Sequence, residues 1–170
     1  MENATLNTIF TRRSVRAYQP RQIEEEKLQM LLKAACYAPS GMNRQAWKFV
    51  AVQGAERIEE MCRIGGLGGN PFYSAPTVIL AFAQNGIIAS VESASLALEN
   101  ILLTAHAMEL GGCWIHAVKD IFSTPAGKKL AADCGVPADY TIVGSAAVGY
   151  PDGPLPEAKP RREGCVIVVR

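Results

Sequence analysis

Residues 91–110 read VESASLALENILLTAHAMEL. Glu92, Ser95, Glu99, His106 and Glu109 fall on one stripe at helical spacing, and nearly every other position is apolar. The pattern predicts a helix over Val91–Leu110 that is apolar around most of its circumference. Such a helix belongs at the centre of a molecule. In a chain of 170 residues it implies a core shared between two subunits.

Working outward, Gly111-Gly112 closes this helix and Cys113–Val118 reads as a strand. Thr77–Ala83 (TVILAFA) is apolar on both faces, as a central buried strand must be. Trp47–Gln53, Tyr140–Gly149 and the short Cys165–Val169 (CVIVV) complete the expected strands. Helices are expected at residues 4–13, 24–37, 55–64 and 123–134. The first ends in Arg12-Arg13, at the negative end of the helix dipole. The second carries Glu24, Glu25 and Glu26 in its first turn, repeats Leu28, Leu31, Leu32 and Ala35 at helical spacing, and stops at Pro39-Ser40-Gly41. The last has Ser123 as N-cap and Pro125 in its first turn. Residues 65–76 and 151–164 read as loops. Helix and strand alternate without repeat or linker, so the expected fold is one α+β domain over residues 1–170, a mixed central β-sheet flanked by helices.

Composition narrows the function. Hydrophobic residues are 49% and charged residues 19%, enough for a packed core. A net charge of +1 excludes a surface wholly adapted to nucleic acid or to a membrane. The opening MENATLNTIF lacks the pattern of a secretory signal, and no apolar run is long enough to span a bilayer. Five cysteines stand at 36, 62, 113, 134 and 165 without a C-x-x-C. That argues against a disulfide framework or structural zinc and for reduced thiols in a cytoplasm. G-x-G-x-x-G, the Walker P-loop, H-E-x-x-H and G-x-S-x-G are all absent, and only two histidines occur. No metal site and no catalytic side-chain constellation is expected.

Two basic clusters remain in this nearly neutral chain: Arg12-Arg13-Ser14-Val15-Arg16 and Lys159-Pro160-Arg161-Arg162. Guanidinium forks match phosphate oxygens, and the serine adds a hydroxyl. Taken alone, the first also reads as a helix cap and the second as a solvated loop. A third segment, Ala38–Trp47 (APSGMNRQAW), has small residues that admit a ligand to the backbone. Its Asn43 and Gln45 can both donate and accept, as a heterocycle's edge requires. By itself it is a loop before a strand.

Together, "RRSVRAYQP", "APSGMNRQAWKFV", "FYSAPTVILAFA", the long helix with "GGCWI" and "KPRRE", in that order, resemble the FMN-dependent nitroreductase family over essentially the whole chain. The resemblance implies a homodimer with FMN at the subunit interface. It implies that Arg12, Arg13, Ser14 and Arg16 form the N-terminal flavin-binding motif, with Arg12 and Ser14 holding the phosphate and Arg16 near the N1/O2 edge. Pro39, Ser40, Gly41, Asn43 and Gln45 would reach the flavin from the partner subunit, and Asn70 would add a polar contact. Gly111 and Gly112 would bring backbone near N5, and Lys159, Arg161 and Arg162 would form a second phosphate-binding group.

The implied activity is transfer of hydride from NAD(P)H through FMN to nitroaromatics, quinones or related small acceptors, by a ping-pong mechanism. The chemistry is then the cofactor's, and no side chain need act as nucleophile. The alternatives are a flavin-binding electron-transfer module and a same-fold enzyme for reductive dehalogenation or flavin cleavage. Two departures bear on substrate range: only Gln84–Ile88 stands where many members carry an inserted helical lid, and the C-terminal arm that wraps the partner is short. Cys113 and His116 fall on opposite faces of a strand, which favours a structural role for the thiol. His106, on the polar stripe, reads as a surface or interface residue. Phe72 and Tyr73 either line the flavin or anchor their loop.

Overall fold

Every residue of Thr77–Ala83 is buried, and alternate side chains enter two different cores. This segment is the interior of a four-stranded sheet in a computed structural model that describes residues 3–66 and 68–170. The strands are β1 (Trp47–Gln53), β2 (Thr77–Gln84), β3 (Gly111–Ile115) and β4 (Tyr140–Gly149). Their order is β1-β2-β4-β3, and every neighbouring pair is antiparallel. Parallel pairing enters at the bridge from Ser14 to Gly112, which lays the chain after Thr11 along the outer edge of β3. The β1 edge has no such cover among the described residues.

Among the described residues six α-helices complete the α+β fold: α1 (Ala4–Thr11), α2 (Glu25–Cys36), α3 (Ala55–Ile64), α4 (Ser90–Ala107), α5 (Val118–Ser123) and α6 (Pro125–Asp133). On one face of the sheet α2 and α4 pack over Ile79, Ala81 and Ala83. On the other, α3 and α5 pack over Val78, Leu80 and Phe82, with α6 alongside. Phe82 and Phe122 meet there edge to face, with ring centroids 5.4 Å apart. The short bridge between β2 and α4 is pinned to the start of β4: Asn85 donates its N–H to the Asp139 carbonyl at 2.7 Å, and Gln84 donates to the Asp139 carboxylate at 2.9 Å.

The central helix buries one face, from Ser93 and Ala94 through Leu98 and Ile101 to Ala105. Val91 and Leu96 are about half exposed in the single chain. Its end differs from expectation. The helix stops at Ala107, the chain reverses at Glu109 with φ of 61°, and Gly111-Gly112 lie inside β3. Both glycines are there for packing. A Cβ on Gly111 would fall 2.7 Å from the Val15 Cβ, and one on Gly112 would fall 2.8 Å from a Leu102 methyl.

Three further expectations fail. The strand expected to Val118 ends at Ile115, and Val118 opens α5. Ser123 belongs to α5, while Thr124 caps α6 by accepting the Gly127 N–H at 2.9 Å. Gly127 permits the sharp junction, since a Cβ there would lie 2.1 Å from the Ile121 carbonyl oxygen. Cys165–Val169 forms no strand: it pairs with no strand of its own chain among the described residues, and Val166, Ile167 and Val169 are 80–90% exposed. Within the expected loop 65–76, residue 67 lies outside the described residues.

Candidate functional site

The first basic cluster is shaped by the end of α1. The Arg12 N–H closes the helix on the Thr8 carbonyl, and the chain then extends until the Val15 N–H donates to the Gly112 carbonyl at 3.1 Å. Extended chain alternates its side chains. Val15 turns into the core, while Ser14 stays half-buried and Arg16 exposed. Tyr18 fixes the segment from below: its buried hydroxyl donates to the Val15 carbonyl at 2.7 Å, with the Ala147 carbonyl at 3.1 Å. Burial pushes the Tyr18 phenol well above its usual range.

The two adjacent arginines have different tasks. Arg13 donates from Nη1 to the Phe10 and Arg12 carbonyls, at 2.9 and 2.7 Å, and so caps α1. Arg12 is half-buried, and its Nε is enclosed without a hydrogen-bond partner, the nearest anion being Glu99 Oε1 at 3.4 Å. An enclosed donor without an acceptor is unfavourable. The site therefore fits a phosphate group, whose oxygens would satisfy it. Arg16 lies beside Tyr73, with the guanidinium 5.8 Å from the ring centroid. Beneath them the Cys113 thiol is raised by burial, against the pull of Arg16 and Ser14. It is an inert core thiol, and His116 is exposed beyond the end of β3.

The other expected residues are distributed unevenly. Asn70 Oδ1 accepts the Phe72 N–H at 2.9 Å, which fixes the loop and leaves the amide NH₂ donors uncommitted to that contact. Phe72 is fully buried and anchors that loop, whereas Tyr73 is 42% exposed, held with Ser74 in the left-handed region. Gly111 and Gly112 are buried under Val15 and Leu102, so their lack of side chains is explained within the chain. Lys159, Arg161 and Arg162 stand exposed on the extended tail.

Pro39–Gln45 lies elsewhere. Gly41 donates its N–H to Ser93 Oγ at 3.4 Å and packs against Ala89, at the start of α4. Ser40 Oγ accepts the Gln45 N–H, and Gln45 donates to Asn43 Oδ1, each at 3.1 Å. Met42, Asn43 and Gln45 all have positive φ, a strained backbone of the kind found at ligand-binding loops. Glu99, beside Arg12, is six residues along the helix from Ser93, about 9 Å at the α-helical rise. One chain thus does not bring the loop and the arginines together.

Glu99 and His106 read in the sequence only as members of a polar stripe. The fold sets them against Arg12 and Thr11. No sequence signal identifies those contacts, because the partners lie 87 and 95 residues apart. Cavities of about 300 and 600 Å³ lie around Phe82, Phe122 and Ala131, and neither is lined by Arg12, Arg13 or Arg16. Among the described residues there is no cluster able to hold a metal ion, and no helix long and apolar enough to cross a membrane.

The Nitroreductase family model matches residues 9–66 and 65–150. An Archaeoglobus fulgidus protein, provisionally named an NADH dehydrogenase/NAD(P)H nitroreductase, is 33% identical over 86% of this chain and 84% of its own length. The NADPH-flavin oxidoreductase of Vibrio harveyi is 26% identical over 98% of this chain and 73% of its own. A Bacteroides fragilis nitroreductase crystallised with bound FMN superposes with a TM-score of 0.93 at 30% identity, covering 99% of this chain and all of that one.

Proposed function

The chain belongs to the nitroreductase family, and from that premise we propose an FMN-dependent oxidoreductase that carries hydride from NAD(P)H to nitroaromatic, quinone or related small acceptors by a ping-pong mechanism. The observation that carries this reading is Arg12, a half-buried arginine with an unsatisfied Nε, in a fold shared over nearly its full length with an FMN-bound relative. FMN, when bound, supplies the hydride chemistry at N5. This chain's residues bind it, bias its charge and leave its face open to donor and acceptor in turn.

Arg12 and Ser14 hold the phosphate, and Arg16 sets a cation at the pyrimidine edge, where it favours the reduced cofactor. Arg13 supports them by closing α1. Asn70 offers its amide donors from the loop before β2, and Gly111-Gly112 admit the Arg12–Arg16 segment to the sheet edge. Lys159, Arg161 and Arg162 provide a second set of phosphate donors. Pro39, Ser40, Gly41, Asn43 and Gln45 serve the flavin bound by a second copy. The single domain therefore works as a homodimer. Leu6, Ile9 and Phe10 on α1, Met30 on α2, and Val91 and Leu96 on α4 are exposed apolar residues that such an interface would cover. A cytoplasmic setting suits the five free cysteines. The relatives' names favour neither an electron carrier without turnover nor a flavin-cleaving enzyme; one relative, from Thermotoga neapolitana, is named an iodotyrosine deiodinase, but most are named for NAD(P)H-dependent reduction of nitro compounds or flavins.

Anaerobic addition of NADH to FMN-loaded protein, followed in the visible spectrum, tests this function. Bleaching, and its reversal by a nitroaromatic or quinone, is the expected result. Protein that fails to retain FMN would remove the reading.

A further inference from the structure

We propose that His106 is a positioning residue for Arg12, holding the end of α1 so that the guanidinium faces the flavin phosphate; this rests on the reading of Arg12 as a phosphate ligand. Thr11 is the last residue of α1, and its hydroxyl has a single proton, which goes to the Asn7 carbonyl at 2.7 Å. His106 Nε2 lies 2.8 Å from the same oxygen. Both contacts are made at once when the threonine oxygen accepts from Nε2–H, the tautomer that leaves the hydroxyl proton on the Asn7 carbonyl. The backbone that leads directly into Arg12 is thus tied to the C-terminal half of α4.

Glu99 stands seven residues earlier on α4, two turns away on the same face. It meets the arginine from the side-chain end, with Oε1 3.4 Å from Nε. The helix holds Arg12 at two points: His106 through the backbone of α1, and Glu99 through the guanidinium. Between them the Nε donor is enclosed yet unsatisfied, a state that a freely rotating side chain would relieve by turning to water. Burial and the neighbouring Arg12 and Arg13 all favour neutral His106. Its contribution is then one of geometry, adding no charge to the phosphate site.

Riboflavin lacks the phosphate, which makes the inference testable without turnover. Full-length protein freed of flavin is titrated with FMN and with riboflavin, following quenching of flavin fluorescence. Wild type is expected to prefer FMN. His106→Ala should weaken FMN about tenfold and leave riboflavin within about twofold, the scale of one misplaced charge-assisted contact. Gln at this position keeps an N–H donor, so His106→Gln should restore the preference. Thr11→Val, which removes the acceptor and keeps the side-chain shape, should behave like His106→Ala and gives an independent route if that variant folds poorly. An unchanged FMN-to-riboflavin ratio in both His106→Ala and Thr11→Val would overturn the positioning role alone. A wild type indifferent to the phosphate would overturn the assignment of Arg12 and this inference with it.

Discussion

Gly111 lacks a side chain because Val15 occupies the space, and the contact is with the Val15 Cβ, an atom that no rotamer change can move. Gly111→Ala should therefore cost about 1–3 kcal/mol, the usual range for overpacking, measured by urea unfolding. It should also loosen the Ser14–Gly112 bridge that carries the arginines. Glu24 makes a different prediction. The Tyr150 hydroxyl donates to it at 2.6 Å, its own backbone N–H and Arg21 add to this, and the carboxyl is held down to about 2 from an ordinary 4.5. A carboxylate lowered by folding stabilises the protein fully above its unfolded value, and the effect is lost as pH falls through the folded one. Stability should decline between pH 4.5 and about 2, and Glu24→Gln should flatten that part of the curve, read from urea midpoints across the interval.

The elements show where sequence is a sufficient guide. Trp47–Gln53, Ala55–Ile64 and Tyr140–Gly149 have the boundaries their patterns imply, because alternation, helical spacing and a following glycine are local properties. The junction of α5 and α6 is set by Gly127 against the Ile121 carbonyl, and the turn at Glu109 by packing of β3, so neither is written in a local pattern. Leu98 sits fully buried at the middle of α4, facing the sheet. Leu98→Ala should destabilise by about 2–5 kcal/mol, measured by thermal or chemical unfolding. Of the site, the cluster Arg12–Arg16 follows from the sequence, while its place along β3 is set by the distant Gly112. The division of labour between Arg12 and Arg13 does not, since it depends on which guanidinium reaches back to Phe10.

At the scale of the whole molecule, apolar residues on α1, α2 and α4 remain uncovered in one chain, and the strained Pro39–Gln45 loop meets α4 six residues from where the helix meets Arg12. The proposed second copy would answer both features at once. Replacing Phe10, 67% exposed, by Glu together with Ile9→Glu should give monomers in sedimentation equilibrium. Such monomers should keep their helical circular dichroism and lose most of the flavin.

The unequal edges of the sheet carry a further consequence. The β3 side is closed by residues of the same chain, while β1 is open and the apolar tail Val166–Val169 is free. A tail from a second copy laid along the β1 edge would satisfy its open N–H and C=O groups. Reciprocal exchange between two copies would close the pairing, whereas donation to a third would extend it towards a fibre.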